Sequence, residues 1–167
     1  MANANLVDRE TAWFQPGPYY TSGNWLRDAF WTTVFDRKLS QRALDNFGAA
    51  LDTNGQAPTR IAANGVADQY HDDESTLFYV IWAYRDGGQP RDRLARAWEF
   101  IRRHVVNGGY ITPKGNFHTW HDTLDFPTYD VASCNQGLYA TAARAAVAMG
   151  LGSEEEARLA AHFYRRL

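Results

Sequence analysis

The sequence contains one cysteine, Cys134, among its 167 residues. A single thiol forms no disulfide within the chain and suits a reducing compartment. The amino-terminal stretch MANANLVDRE has neither the basic region nor the apolar region of a secretory signal. We therefore expect a cytoplasmic protein.

Long apolar runs and clusters of positive charge are also missing. Every apolar stretch is far shorter than the roughly 20 residues that a membrane-spanning helix needs. Lys and Arg number 17 against 19 Asp and Glu, which gives a formal net charge of −2, and the basic residues form no long run. A nucleic acid or an anionic membrane would require a basic patch, so we expect neither as a partner.

Aromatic residues, by contrast, are plentiful: 6 Trp, 9 Tyr and 9 Phe make up 14% of the chain. A chain of this length suits one domain over residues 1–167, which buries roughly 70% of its unfolded surface. Several of the rings lie in polar segments, where packing in a core does not explain them. These rings indicate a binding surface.

Hydrophobic spacing, capping residues and Gly or Pro breaks predict six helices and an all-α fold. A short strand or turn is expected only in the segment GGYITP. The third helix is apolar on nearly every side after its first turn, which predicts burial. The expected helices are 24–37, a helix that Ser40 caps and Asn54-Gly55 ends, 73–85, about 90–106, 133–149, and a last helix that Ser153 caps.

Two long segments between these helices, 55–72 and 107–132, hold most of the unusual residues. Loops of this length inside a compact domain are usually functional or disordered. The aromatic, glycine and proline content of both segments favours ordered, functional loops.

The stretch GNWLRDAFW places Arg27 and Asp28 between two tryptophans, Trp25 and Trp31. A carboxylate near a helix start is favoured by the helix dipole, so capping or an ion pair between Arg27 and Asp28 is one interpretation. The tryptophans favour another, because an indole stacks on the apolar face of a sugar while a neighbouring carboxylate accepts its hydroxyl groups.

Three consecutive acids, Asp72, Asp73 and Glu74, open the apolar third helix. They are explained either as an N-terminal acidic cap, with Asp72 as the N-cap, or as side chains that point into a cavity and bind hydroxyl groups. A metal site is not expected, because the sequence offers no second acidic cluster with suitable spacing.

The stretch GNFHTWHDTLDFP, residues 115–127, gathers imidazoles, acids and rings in a loop. His118 and His121 lack the further His or Cys ligands that a zinc site needs, and a nucleophile elbow for a Ser-His-Asp triad is missing. We therefore expect no metal and no cofactor.

An acid beside an indole accounts for this stretch better. Burial against Trp120 would raise the pKa of a carboxyl group, as a general acid for glycoside cleavage requires. Asp122 is the first candidate and Asp125 the second. The alternative is that these residues only order a long loop.

Taken in order, WLRDAFW, QAPTRI, DDESTLFYVIWAYR, TWHDTLDFP and NQGLYATAARAA resemble the six-hairpin (α/α)6-barrel glycosidases. The likeness is to the glucoamylase, glycogen-debranching and trehalase-like group and spans residues 19–149. It implies a toroid of helical hairpins and inverting hydrolysis of α-glucosidic linkages in an oligosaccharide or glucoside.

The resemblance also implies roles for single residues. Arg27 and Asp28 would line the subsite for the terminal sugar, and Asp122 would be the general acid, with Asp125 as the second candidate. Asn135, Gln136 and Tyr139 would open the helix that follows the acid. The sugar contacts implied in this way are Trp25, Arg27, Asp28, Trp31, Asp72, Asp73, Glu74, Trp120, His121 and Gln136.

A complete barrel of this kind has twelve helices, so six helices correspond to about half of the toroid. The general base would then lie in the missing half. Inversion requires two carboxyl groups roughly 6.5–9.5 Å apart. No residue is nominated as the base, although Asp28 and the acids at 72–74 are possible stand-ins.

A half barrel leaves an apolar edge, so we expect self-association or a missing C-terminal half that covers it. The ending AHFYRRL, in mid-helix and without a glycine stop, favours truncation. Two alternatives to a hydrolase remain open. One is a non-catalytic carbohydrate-binding helical domain, and the other is an all-α protein-interaction module.

Overall fold

A computed structural model of the chain describes residues 6–8, 13–14, 23–69, 74–111 and 133–167. Within these ranges the protein is mostly helical and belongs to the all-α class, as predicted. Its six helices are α1 (Leu26–Thr32), α2 (Arg37–Ala49), α3 (Glu74–Asp86), α4 (Arg91–Arg103), α5 (Ser133–Ala148) and α6 (Glu154–Tyr164).

Seven short strands accompany the helices in the described ranges. They form two antiparallel pairs and one three-stranded antiparallel sheet, in which Trp25 lies opposite Arg60. The strands are β1 (Leu6–Asp8) with β2 (Trp13–Phe14), β3 (Gly23–Trp25) with β4 (Arg60–Ala62) and β5 (Ala67–Gln69), and β6 (Val105–Val106) with β7 (Gly109–Tyr110).

The helices form three consecutive hairpins with α3 at the centre. Each odd-numbered helix contacts the helix that follows it, and α3 also contacts α1 and α5. Helix α3 is buried on nearly every side, which confirms the prediction, and Leu77, Tyr79, Val80 and Trp82 are its most enclosed apolar side chains. Alanines on the buried faces of α5 permit its close approach to α3 and α6.

The first predicted helix is shorter than its pattern indicates. Residues 23–25 form β3 instead, because their backbone pairs with β4. The helix ends after Thr32, where the hydroxyl groups of Thr32 and Thr33 bond the carbonyls of Asp28 and Ala29, both at 2.7 Å. Such bonds back to the preceding turn compete with continuation of the helix.

The prediction that Ser40 caps the second helix is wrong. Asp36 is the N-cap, and its carboxylate accepts a hydrogen bond from the Leu39 backbone N–H at 3.1 Å. Ser40 lies inside the helix and donates its hydroxyl proton to Asp86. The helix also ends at Ala49, before the predicted stop, because Asp52 organises a separate turn that reaches Gly55.

The boundaries of the later helices agree better with the prediction. Helix α4 ends at Arg103 rather than near Val106, because residues 105–106 pair with 109–110 across a turn at Asn107 and Gly108. The second strand of this pair lies in GGYITP, so the strand expected there is confirmed. Ser153 caps α6, as predicted, and the cap is a complete capping box with Glu156. Helix α6 ends at Tyr164, so the expectation that the chain stops in mid-helix is wrong.

The segment 55–72, expected as a loop, contains β4 and β5. Among the described residues no helix combines the length and the apolar composition that crossing a bilayer requires.

Candidate functional site

The beginnings of α1, α3 and α5 surround an open cleft of about 680 Å³. Arg27 is the second residue of α1, Glu74 the first of α3 and Cys134 the second of α5. Described residues that line the cleft are Arg27, Trp31, Glu74, Phe78, Cys134, Gly137, Leu138, Thr141 and Tyr164.

An ion pair lies in the cleft. Arg27 Nη1 donates to Glu74 Oε1 at 2.5 Å and joins α1 to α3. The Glu74 side chain is only 1% exposed, whereas that of Arg27 is 35% exposed. Arg27 therefore pairs with an acid 47 residues away rather than with its neighbour Asp28. A guanidinium carries five N–H donors, so this bond leaves donors for a ligand.

Trp31 forms the aromatic wall of the cleft. Its indole meets the rings of Phe30 and Phe78 edge to face, at centroid distances of 4.8 and 6.2 Å. The residue nevertheless stays 59% exposed. These perpendicular contacts hold the indole in place while more than half of the residue remains exposed, and an exposed indole is able to stack on a sugar ring.

Trp25 and Asp28 are not part of this cleft. The Arg60 guanidinium, itself paired with Asp68, lies 5.7 Å from the centre of the Trp25 ring and covers one of its faces. Burial raises the pKa of the Asp28 carboxyl group, and the positive charge of Arg27 opposes the rise. Asp28 thus belongs to the same end of α1 without lining the cleft.

Gln136 lies in the core rather than in the cleft. Its side chain is 0% exposed, and its Oε1 accepts from the Tyr110 backbone N–H at 2.7 Å. Its Nε2 donates to the carbonyls of Gly108 and Ala160 at 3.0 and 3.1 Å. These bonds attach α5 to β7 and α6, so Gln136 has a packing role in place of the sugar contact expected from the sequence.

Six further candidates lie outside the described residues. They are Asp72, Asp73, Trp120, His121, Asp122 and Asp125.

Sequence reasoning missed five side chains that line the cleft: Phe78, Cys134, Leu138, Thr141 and Tyr164. Helical spacing could have found Phe78, four residues after Glu74, because residues i and i+4 share a helix face. Burial raises the pKa of the Cys134 thiol, and the negative charge of Glu74 raises it further. The thiol is therefore protonated near neutral pH and is a poor nucleophile.

Within the described part of the chain, no three His, Cys, Asp or Glu side chains come together in a way that could hold a metal ion. Comparisons with family models, with curated proteins and with solved structures find no match to the chain.

Proposed function

We propose that the cleft binds a sugar residue of an oligosaccharide or glucoside. We propose further that the protein is an inverting glycoside hydrolase acting on α-glucosidic linkages, or a fragment of one. The observation that carries the proposal is the exposed indole of Trp31 in the same cleft as the ion pair of Arg27 and Glu74.

This combination matches the two kinds of surface on a sugar ring. The C–H face of a pyranose packs against an indole, and its hydroxyl groups require donors and acceptors at fixed positions. Arg27 is held by Glu74, so less side-chain entropy is lost when its remaining N–H groups bind a hydroxyl. The opposite charges balance each other, which suits an uncharged ligand.

The row of hairpins supports the proposed half toroid. α1, α3 and α5 lie next to one another, and each packs against the even-numbered helix that follows it. Their first turns contribute Arg27, Glu74 and Cys134 to the cleft. A barrel of helical hairpins would bring the starts of its inner helices to one end in the same way.

The proposed reaction assigns the general acid to Asp122. Its carboxyl proton passes to the glycosidic oxygen as the bond between that oxygen and the anomeric carbon breaks. Water attacks the opposite face of the sugar and gives up a proton to a general base, so the product has the inverted configuration. Trp31 and Arg27 would orient the sugar that loses the leaving group.

The binding claim is tested by calorimetric titration of gluco-oligosaccharides into the wild-type protein and two variants. Trp31→Ala should weaken binding about tenfold, because an aromatic contact contributes roughly 1–1.5 kcal/mol. Phe35→Ala is the matched control, since Phe35 is 96% exposed and does not line the cleft, and it should leave the affinity unchanged. Equal loss in both variants, or no binding by the wild type, would refute the site.

The catalytic claim is tested with the same sugars by the release of reducing ends. Asp122→Asn should abolish release while the affinity changes little, because the amide keeps the shape of the acid but supplies no proton. Binding without release by the wild type would show that this chain is not a complete hydrolase, and would favour a non-catalytic carbohydrate-binding domain or a fragment that lacks its general base. Release that persists in Asp122→Asn would refute the role of Asp122 as the general acid.

A further inference from the structure

A second concave surface lies beside the cleft, between α5, α6 and the later turns of α3. This surface, here called the α5–α6 groove, has a volume of about 810 Å³. Alanines from α5 and α6 form much of its lining, and Tyr84 and Tyr164, 55% and 48% exposed, stand at its sides. Methyl groups in place of larger side chains allow another backbone to approach closely.

The groove carries excess positive charge. Three arginines line it, Arg144, Arg158 and Arg165, against one acid, Glu154. Arg158 is paired with Glu155, with N–O distances of 2.6 and 2.7 Å. Arg144 and Arg165 are exposed, and neither side chain makes a hydrogen bond or an ion pair within the described part of the chain. Their charges are therefore available to a partner.

We propose that the α5–α6 groove binds an acidic amphipathic helix of a partner protein. An apolar helix face fits the alanine floor, and acids beside that face meet Arg144 and Arg165. The proposal is independent of sugar binding, because neutral sugars need aromatic faces and hydroxyl partners rather than a floor of methyl groups.

The same charges argue against a second copy of the chain as the occupant. Two grooves face to face would bring the free arginines of both copies together. The far end of the hairpin row offers the groove of a second copy no better match, because α2 exposes three cations there, Arg37, Lys38 and Arg42, against one acid, Asp45. Like charges placed together at an interface cost affinity and select against that pairing.

The test uses two labelled peptides of about 20 residues, long enough to form helix in water. Both carry Ala and Leu along one face and Gln on the opposite face. The first has Glu on both flanks of the apolar face, and the second has Lys at those positions. Binding to the full chain is measured by fluorescence anisotropy at low and at high salt.

The acidic peptide should bind, and its affinity should fall as salt rises. The double variant Arg144→Glu/Arg165→Glu should lose at least about tenfold in affinity, since each reversal turns an attraction into a repulsion. Lys38→Glu is the matched control, because Lys38 is an exposed helix cation far from the groove, and it should bind like the wild type.

Any one of three results would overturn the proposal. They are equal affinity for the Lys and Glu peptides, wild-type affinity in the double variant, and no binding of the acidic peptide. Light scattering tests whether a second copy of the chain occupies the groove. A dimer that forms as the protein concentration rises, and that the double variant does not form, would show that the chain binds itself there and not a partner protein.

Discussion

Asp86, the last residue of α3, shows how one side chain fixes the packing of the cleft-bearing helices. Its carboxylate accepts hydrogen bonds from Trp82 Nε1 and Arg85 Nε, both at 2.8 Å, and from the Ser40 hydroxyl. Arg85 in turn donates to the Phe30 carbonyl at 3.2 Å. α1, α2 and α3 are thereby joined at the end of α3 opposite the cleft.

The charge of Asp86 is favoured by these donors. Desolvation by burial raises the pKa of the carboxyl group, but the hydrogen bonds from Arg85, Ser40 and Trp82 together outweigh it, so the pKa falls below the ordinary value of 3.8. A pKa lowered by folding contributes stability above the unfolded value, and that contribution is lost as the pH falls through the folded value.

Asp86→Asn should therefore destabilise the protein most at neutral pH. The amide has no charge, and its NH2 group would face the hydrogen-bond donors of Trp82, Arg85 and Ser40. The lost bonds should lower the free energy of unfolding by about 2–4 kcal/mol. Urea denaturation at pH 7 and below about pH 3 measures the change, and the difference from wild type should shrink at the lower pH. Asp92→Asn, an exposed acid on α4, is the control. An Asp86→Asn deficit equal at both pH values would contradict the account.

At the scale of single elements, the turn after α2 is fixed by Gly55. Its φ is +90°, and an added Cβ would lie 2.3 Å from the carbonyl oxygen of Arg96 on α4. Asp52 completes the turn by accepting from the Asn54 and Gln56 backbone N–H groups, both at 2.8 Å. The absence of a side chain at residue 55 thus lets the turn pack directly on a helix backbone.

Gly55→Ala should lower the free energy of unfolding by roughly 2–4 kcal/mol, because left-handed strain adds to a clash with the backbone. Gly65→Ala is the control that introduces left-handed backbone strain without a clash. The φ of Gly65 is +80°, and an added Cβ meets nothing within 4 Å. That variant should lose only about 1 kcal/mol. Urea midpoints measure both changes, and equal losses would show that the close approach at Gly55 has no energetic importance.

Local signals predicted some elements well and others not at all. Burial of α3 and the cap of α6 follow from periodicity and from the spacing of Ser153 and Glu156, which are properties of neighbouring residues. The β3–β4 pairing was missed because its three-residue strands pair across more than 30 positions of the chain. The β4–β5 hairpin is local, but strands of three residues are too short to show a clear alternating pattern. Ser40 was mistaken for the cap because its actual partner, Asp86, lies 46 residues away, whereas Asp36 caps α2 through a local bond to the Leu39 N–H.

The predictions of site residues also succeeded where residue type was sufficient and failed where distant partners decide the role of a side chain. Arg27, Trp31 and Glu74 were predicted from residue type and do share one cleft. Gln136 was misplaced because its buried partners, Gly108 and Ala160, come from other elements. Residue type alone does not distinguish an amide that binds a ligand from one that satisfies backbone groups.

At the scale of the whole molecule, the hairpin row gives the protein two surfaces with different chemistry. The cleft at the starts of α1, α3 and α5 combines an open indole with a balanced ion pair. The α5–α6 groove combines alanines with unbalanced arginines. Tyr164 borders both surfaces, so a helix seated in the groove would lie next to a sugar in the cleft.

The most direct measurement of the central claim is the rate at which iodoacetamide alkylates Cys134 with and without gluco-oligosaccharide. Cys134 is the sole cysteine and lines the cleft beside Glu74, so a bound sugar should cover its thiol. At a sugar concentration ten times the Kd the rate should fall about tenfold. Alkylation of glutathione under the same conditions should not change. Sugar binding that leaves the Cys134 rate unaltered would place the sugar elsewhere and contradict the account.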